Sequence, residues 1–312
     1  LFITDSLEVW HAAVLLVIHG FAGVLWGPAA QMMIHDIVGR DQLQSGVRLM
    51  ATSRTLGILL GPAVGGGFML WLGPAWGIMV NAVIYLPLVL WLWKAPYGPA
   101  FRSESEQQSS PVIRGFADII DTIKNVSSNR TIVSMTLLAG GVSLLVGNAH
   151  HAQMPEFTLD LLPSDGGVLY AVLLTASGIG ALTAGFVLES RNLLEANPRT
   201  AFTLVSLWCI TIIGFAASSN VYLSVIMLFL AGFLELAYNS MTQAIVQLQA
   251  PVNMRGRIIG LFSMSSLGLK SFSGVTVGVG GAVIGIHWSL GISAIILLIF
   301  TVILVLIISQ KT

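Results

Sequence analysis

The stretch WSLGISAIILLIFTVILVLII (288–308) runs for 21 residues without one charged side chain. A helix needs roughly 20 apolar residues to cross about 30 Å of hydrocarbon, where each backbone amide must be satisfied inside the chain. The stretch reads as a membrane span. Outward from it lie eight more runs of this kind, at approximately 10–34, 49–72, 76–93, 131–149, 167–188, 200–217, 222–247 and 258–283. The rest of the composition agrees. Of 312 residues, 55% are hydrophobic and 9% charged, where a soluble domain carries about 25% charged residues. Trp10, Trp71, Trp76, Trp91, Trp93, Tyr97, Tyr222 and Trp288 fall at or near the ends of runs, as interfacial aromatics do. The expected fold class is an all-α integral membrane bundle with about nine spans. The single cysteine, Cys209, lies inside an apolar run, which excludes an internal disulfide and a thiolate metal site.

The charges are not scattered. Arg40 and Arg48 follow the first run; Lys94, Arg102, Arg114, Lys124 and Arg130 follow the third. Arg191 and Arg199 follow the fifth, Arg255 and Arg257 the seventh, and Lys311 the ninth. The alternate connections hold no Lys or Arg, and carry Glu156, Asp160 and Asp165 instead. Only Arg54 and Lys270, of 14 basic residues, fall inside runs. By the positive-inside rule the basic side is cytoplasmic, which predicts a multi-pass protein of the cell membrane with its C-terminus in the cytoplasm. Nine spans then place Leu1 outside, so an odd number of spans is expected to precede it.

One long polar stretch, 94–130, divides three spans from six. It reads as a cytoplasmic linker with a short amphipathic piece near 113–123. The expected organisation is 1–93 as the remainder of an N-terminal helical half, the linker, and 131–312 as a C-terminal half of six helices. A weak repeat supports equal halves: a shift of about 209 residues lays Gly23 on Gly232, Arg48 on Arg257 and the second span on the eighth. Repeated halves around a central loop are common in secondary transporters.

Within the second span stands GILLGPAVGG (57–66). Gly57, Gly61 and Gly65 recur every four residues, a stripe on which another helix can approach closely, and Pro62 adds a kink. The stripe reads either as a rigid packing seam or as a gate that seals during rocking. The stretch resembles the GxxxGPxxGG core, including Gly66, of a motif in the fifth helix of the drug- and metabolite-exporting antiporters of the major facilitator superfamily. Pro28, the segment Gly185–Arg191 and the loop residues Arg255-Gly256-Arg257 fall where that family places related features. The overall pattern is similar to bacterial efflux proteins of the siderophore-exporter type. The resemblance covers the whole chain as helices four to twelve of a twelve-helix fold. One departure is Arg48, at a position where the family motif usually has Gly. The resemblance implies alternating access, export, and a central cavity lined by the first and seventh spans present here.

Charged groups at bilayer depth are costly and point to function. Glu235 lies midway along the seventh span and Lys270 midway along the eighth, while Arg54 sits near the basic end of the second. Glu235, Asn239, Gln243 and Gln247 share one helix face; Lys270 keeps company with Ser263, Ser266 and Ser273. On the first span His19, Trp26 and Gln31 form a smaller polar and aromatic face. Two readings of Glu235 stand open: a substrate or proton site, or a structural ion pair with Lys270. Arg54 is either part of the pathway or a snorkelling headgroup contact. No metal site is assigned, since His150 and His151, placed on the outer side near Glu156, offer only two imidazoles and a loose carboxylate.

The chain holds no HExxH, GxSxG or P-loop, and no paired intramembrane aspartates, so an enzyme is not expected and no cofactor is called for. Without ATP chemistry an ion gradient is the expected energy source. The reading is a secondary transporter, proton-coupled, exporting a small amphipathic organic molecule such as a drug, siderophore or metabolite. Its expected partners are that molecule, the proton and the lipid bilayer, with no nucleic acid, and the chain is expected to be a monomer. The alternative is a non-exporting membrane protein, either an importer of the same superfamily or a receptor or subunit.

Overall fold

The apolar runs fold as helices in the computed structural model of the chain, which describes residues 9–72, 74–97, 116–162, 166–191, 196–251 and 254–309. In order these are α1 (Val9–Val38), α2 (Leu43–Leu72), α3 (Pro74–Ile84), α4 (Leu86–Lys94), α5 (Phe116–Val126), α6 (Arg130–Leu145), α7 (Ala149–Ala152), α8 (Met154–Leu161), α9 (Gly166–Arg191), α10 (Pro198–Ala216), α11 (Val221–Gln249), α12 (Arg255–Ser263), a π-helical turn (Met264–Gly268), α13 (Lys270–Ile284) and α14 (Ile286–Ser309). The chain is an all-α membrane bundle. Among the described residues six segments are long and apolar enough to span: Arg130–Ala152, Leu169–Ser190, Pro198–Ala216, Val221–Gln249, Arg255–Ile284 and Ile286–Ile307. They match the last six apolar runs to within a few residues. Helices α1 and α2, 30 residues each, cover the first two runs.

Local chemistry sets several boundaries. Asn129, Asn197 and Asn220 cap α6, α10 and α11, their side-chain oxygens accepting from Ile132 N, Arg199 N and Tyr222 N. An asparagine at that position satisfies amide donors that the helix itself leaves free. The third run, expected to be continuous, is instead split at Tyr85 into α3 and α4. Pro87 has no N–H to give and its ring crowds the carbonyl four residues back, which breaks the ladder there. The eighth run is interrupted too, by the π turn. In the expected amphipathic segment, α5 buries Thr122 and Val126 and exposes Ile120 and Ile123; the linker residues 98–115 lie outside the described set.

The core lies among the later helices. Helix α11 packs between α9 and α10, and α10 against α14. Trp208, Phe215, Ile212, Leu173, Leu228 and Leu290 are fully buried there. The α9–α11 crossing is close. A Cβ on Gly180 would meet the carbonyl of Phe229, and one on Gly232 would meet the carbonyl of Ser177. Backbone touches backbone at both points, as small residues permit between membrane helices. Helix α2 packs on α9 and α11, and α1 on α12.

Candidate functional site

The site starts from a helix end. Helix α6 closes at Gly147, whose left-handed backbone (φ 47°) lets its N–H donate to Val142 O at 2.8 Å. A side chain at Gly147 would collide with Ser273 of α13, so this turn and α13 are pressed together. The chain then turns back into a helix at α7. That restart carries His150 into the bundle instead of into an outer loop, and its side chain is wholly buried. The ring lies edge-on to Trp208 of α10 (centroids 5.9 Å apart) and 4.0 Å from the ring of His151. Its Nε2 is 3.7 Å from Glu235 Oε2 on α11. Neither ring nitrogen of His150 has a hydrogen-bond partner. The carboxylate that the two histidines meet is therefore Glu235, not Glu156 as the sequence placed them. Sequence reasoning missed this meeting; the available signal was Gly147, a helix stop followed at once by residues able to resume one.

Lys270 completes the neighbourhood from the other side. Its ammonium donates to Asn148 Oδ1 at 3.1 Å, and no ion pair within 4.0 Å joins it to Glu235. The directly bonded Glu235–Lys270 pair, one of the two open readings, is not formed in this conformation. Lys270 follows the π turn, where the widened ladder frees backbone groups. Ser143 of α6 donates to the Ser266 carbonyl at 2.8 Å and Gln153 to the Val277 carbonyl at 3.0 Å. The segment 143–153 is thereby stitched along the π turn and α13, holding the two histidines and Asn148 in register.

The remaining expected residues divide. Asn239 and Gln243 are half-buried on the face that carries Glu235, and Gln247 is fully buried with its amide unbonded. Trp26 is exposed, Arg54 is exposed, and the side chain of His19 lies outside the described set. Gln31 is buried and donates to Ser263 Oγ at 3.2 Å, tying α1 to α12.

That bond belongs to a second cluster at the basic ends of the helices. Arg48, 2% exposed, donates to Leu188 O at 2.7 Å and lies 4.0 Å from Glu189, which also accepts from Ser45. Arg40 donates to Leu248 O at 3.0 Å, and Arg255 Nη1 lies 3.2 Å from His35 Nδ1. Arg257 is half-buried beside them on α12. Leu188 and Leu248 lie in the last turns of α9 and α11, where carbonyls lack helical partners and the dipole favours cations. Leu43, Val47 and Ala244 form a small apolar core alongside, and Gly185 abuts Thr52. A Cβ on Gly57 would find nothing within 4 Å. Between α9 and α11 lies an apolar groove of about 880 Å³ lined by Ala171, Thr175, Ile179, Ile226, Phe229 and Leu230, among others. Gly61, Pro62, Gly65 and Gly66 lie in α2, but beyond this backbone placement they are outside the described set.

A family model described as transmembrane secretion effector, a branch of the major facilitator superfamily, matches residues 1–311. The chain belongs to that superfamily. It is a multi-pass membrane transporter. Among curated relatives it is similar to the enterobactin exporter EntS of Shigella boydii serotype 18, 28% identical over 295 residues, which is 93% of this chain and 67% of that one. The EntS of Escherichia coli O81 is 28% identical over 300 residues with the same coverage.

Proposed function

We propose that this transporter exports a small amphipathic organic molecule by proton-coupled alternating access, with its basic end and C-terminus in the cytoplasm. The observation that carries the reading is the position of Glu235: a half-buried carboxylate midway along a spanning helix, away from the joined basic end. In this reading α1–α4 belong to one half and the helices after α5 to the other. The basic-end cluster is the cytoplasmic closure of an outward-facing state. Glu235 exchanges a proton as access alternates, with Asn239, Gln243, Trp26 and His19 along the substrate path and Arg54 at its cytoplasmic end. The Gly57–Gly66 stripe, whose Gly57 meets nothing here, packs against α9 when the outer end closes. The exporter relatives support the direction, and the partition of Lys and Arg supports the orientation.

The test uses everted membrane vesicles containing the full-length protein and an amphipathic fluorescent dye such as ethidium. Accumulation driven by an acid interior, lost with an uncoupler, is expected. A dye flux indifferent to the pH gradient would remove the proton from the mechanism.

A further inference from the structure

Three potential ligand atoms, one each from His150, His151 and Glu235, lie within 4.8 Å of one another. We propose that they form a binding site for a single divalent cation of the zinc class. The site shares Glu235 with the export reading but does not rest on that reading.

Geometry comes first. Zinc bonds of about 2.0–2.1 Å to imidazole and carboxylate place tetrahedral ligands about 3.3 Å apart. The His150–Glu235 pair, at 3.7 Å, is already near that spacing. The wider pairs close by rotation of Glu235 and His151, both only half-buried, while His150 stays fixed in the core. Consecutive residues on a helix diverge by about 100°, yet the two rings stand 4.0 Å apart; the short α7 turns both toward one point.

The second observation is independent of spacing. His150 is wholly buried with both ring nitrogens unpartnered. Buried polar atoms are nearly always bonded, so an imidazole in this condition needs an explanation. The 3.7 Å to Glu235 is too long for a hydrogen bond. A metal ion between the two would satisfy one nitrogen and the carboxylate together. The donor set decides the class: two imidazoles and one carboxylate suit zinc, cobalt or nickel, whereas calcium and magnesium want oxygen ligands throughout. Three protein ligands leave at least one coordination position open for water or an oxygen donor. Lys270, fixed on Asn148, repels the cation, so its charge tunes affinity downward.

The experiment uses purified full-length protein in detergent, with Co²⁺ as a spectroscopic probe and Zn²⁺ as competitor. One Co²⁺ per chain is expected, giving the visible absorption of a four- or five-coordinate ion and displaced by one equivalent of Zn²⁺. Because His150 is a core side chain, the variants are His151→Gln and Glu235→Gln. Each should weaken binding about tenfold or more, with an unchanged elution profile, while Glu156→Gln should bind as before. Lys270→Met should tighten binding several-fold. The proposal is overturned if folded protein shows no saturable Co²⁺ spectrum, or if binding survives both ligand variants. Vesicle transport measured alongside separates the two ideas: a chain that exports dye but binds no cobalt loses only this site.

Discussion

The two polar clusters differ in whom they join. At the basic end Gln31, Arg40, Ser45 and Arg48 reach from α1, α2 and the turn between them to carbonyls and side chains of α9, α11 and α12. Midway along the bundle, His150, His151, Asn148, Glu235 and Lys270 all come from α6 onward. A cluster that bridges two groups of helices must break if those groups rock apart. A cluster confined to one group can keep its geometry through the cycle. In the proposed export cycle the first would set which state is populated, and the second would be free to do chemistry.

The largest effect expected from dividing them is at Glu235. Glu235→Gln keeps the size and an acceptor oxygen but cannot exchange a proton, so gradient-driven flux should fall to background at normal expression. The double change Glu235→Gln with Lys270→Met should not restore it, because Lys270 is held by Asn148 and not by the carboxylate. Full activity in the double variant would reinstate a structural pair and move coupling elsewhere.

Next comes the basic end. Arg48→Ala leaves the Leu188 carbonyl without its charged donor. Hydrogen bonds to charged groups are worth about 1.5–3 kcal/mol, or roughly tenfold to a hundredfold in a two-state population. Glu189 is 41% exposed, so its share is discounted for solvent screening and most of the effect belongs to the buried bond. Spin-label distances between Asp41→Cys and Ser190→Cys should broaden toward longer values in the variant. An unchanged distribution would show that the basic end is held by its apolar contacts at Leu43 and Val47 instead. Transport should slow without losing its dependence on the pH gradient, the reverse of Glu235→Gln.

The last six spans, with Glu235 and Lys270 inside them, were legible in the sequence, because lipid forces long uncharged runs and makes each exception conspicuous. The position of Lys270 next to a helix irregularity was not, since no proline marks the π turn; the Ser143 bond to the Ser266 carbonyl compensates it from another helix. His150 was hidden for a related reason. Apolar length ends near residue 149, but the fold continues through the Gly147 turn and brings the histidines back. Gln31 shares a face with cavity candidates and still bonds to α12, a choice made by Ser263 across the bundle. Pairing across helices is what one-dimensional periodicity cannot carry.

A packing contact outside both clusters sharpens the contrast. Gly232→Ala places a Cβ against the Ser177 carbonyl, and overpacking of this kind costs about 1–3 kcal/mol. The expected result is a lower Tm and yield, with the surviving protein keeping normal gradient dependence. A change in coupling without a change in Tm would mean that the α9–α11 crossing moves during transport.

The smallest effect is expected at Gly57, and it asks whether the glycine stripe belongs with the packing contacts or with the moving ones. No atom lies within 4 Å of a Cβ there, so Gly57→Ala meets no clash in this state. Alanine also restricts the unfolded chain and favours the helix by about 0.5–1 kcal/mol relative to glycine. Tm should hold or rise slightly, opposite in sign to Gly232→Ala, although both add one methyl to a glycine on a spanning helix. If the stripe seats against α9 when the outer end closes, the methyl weakens that state alone, and the dye transport rate should fall a few-fold while Tm does not. A rate equal to that of the unsubstituted protein would show that Gly57 faces open space throughout the cycle, leaving any seam to the glycines further along α2.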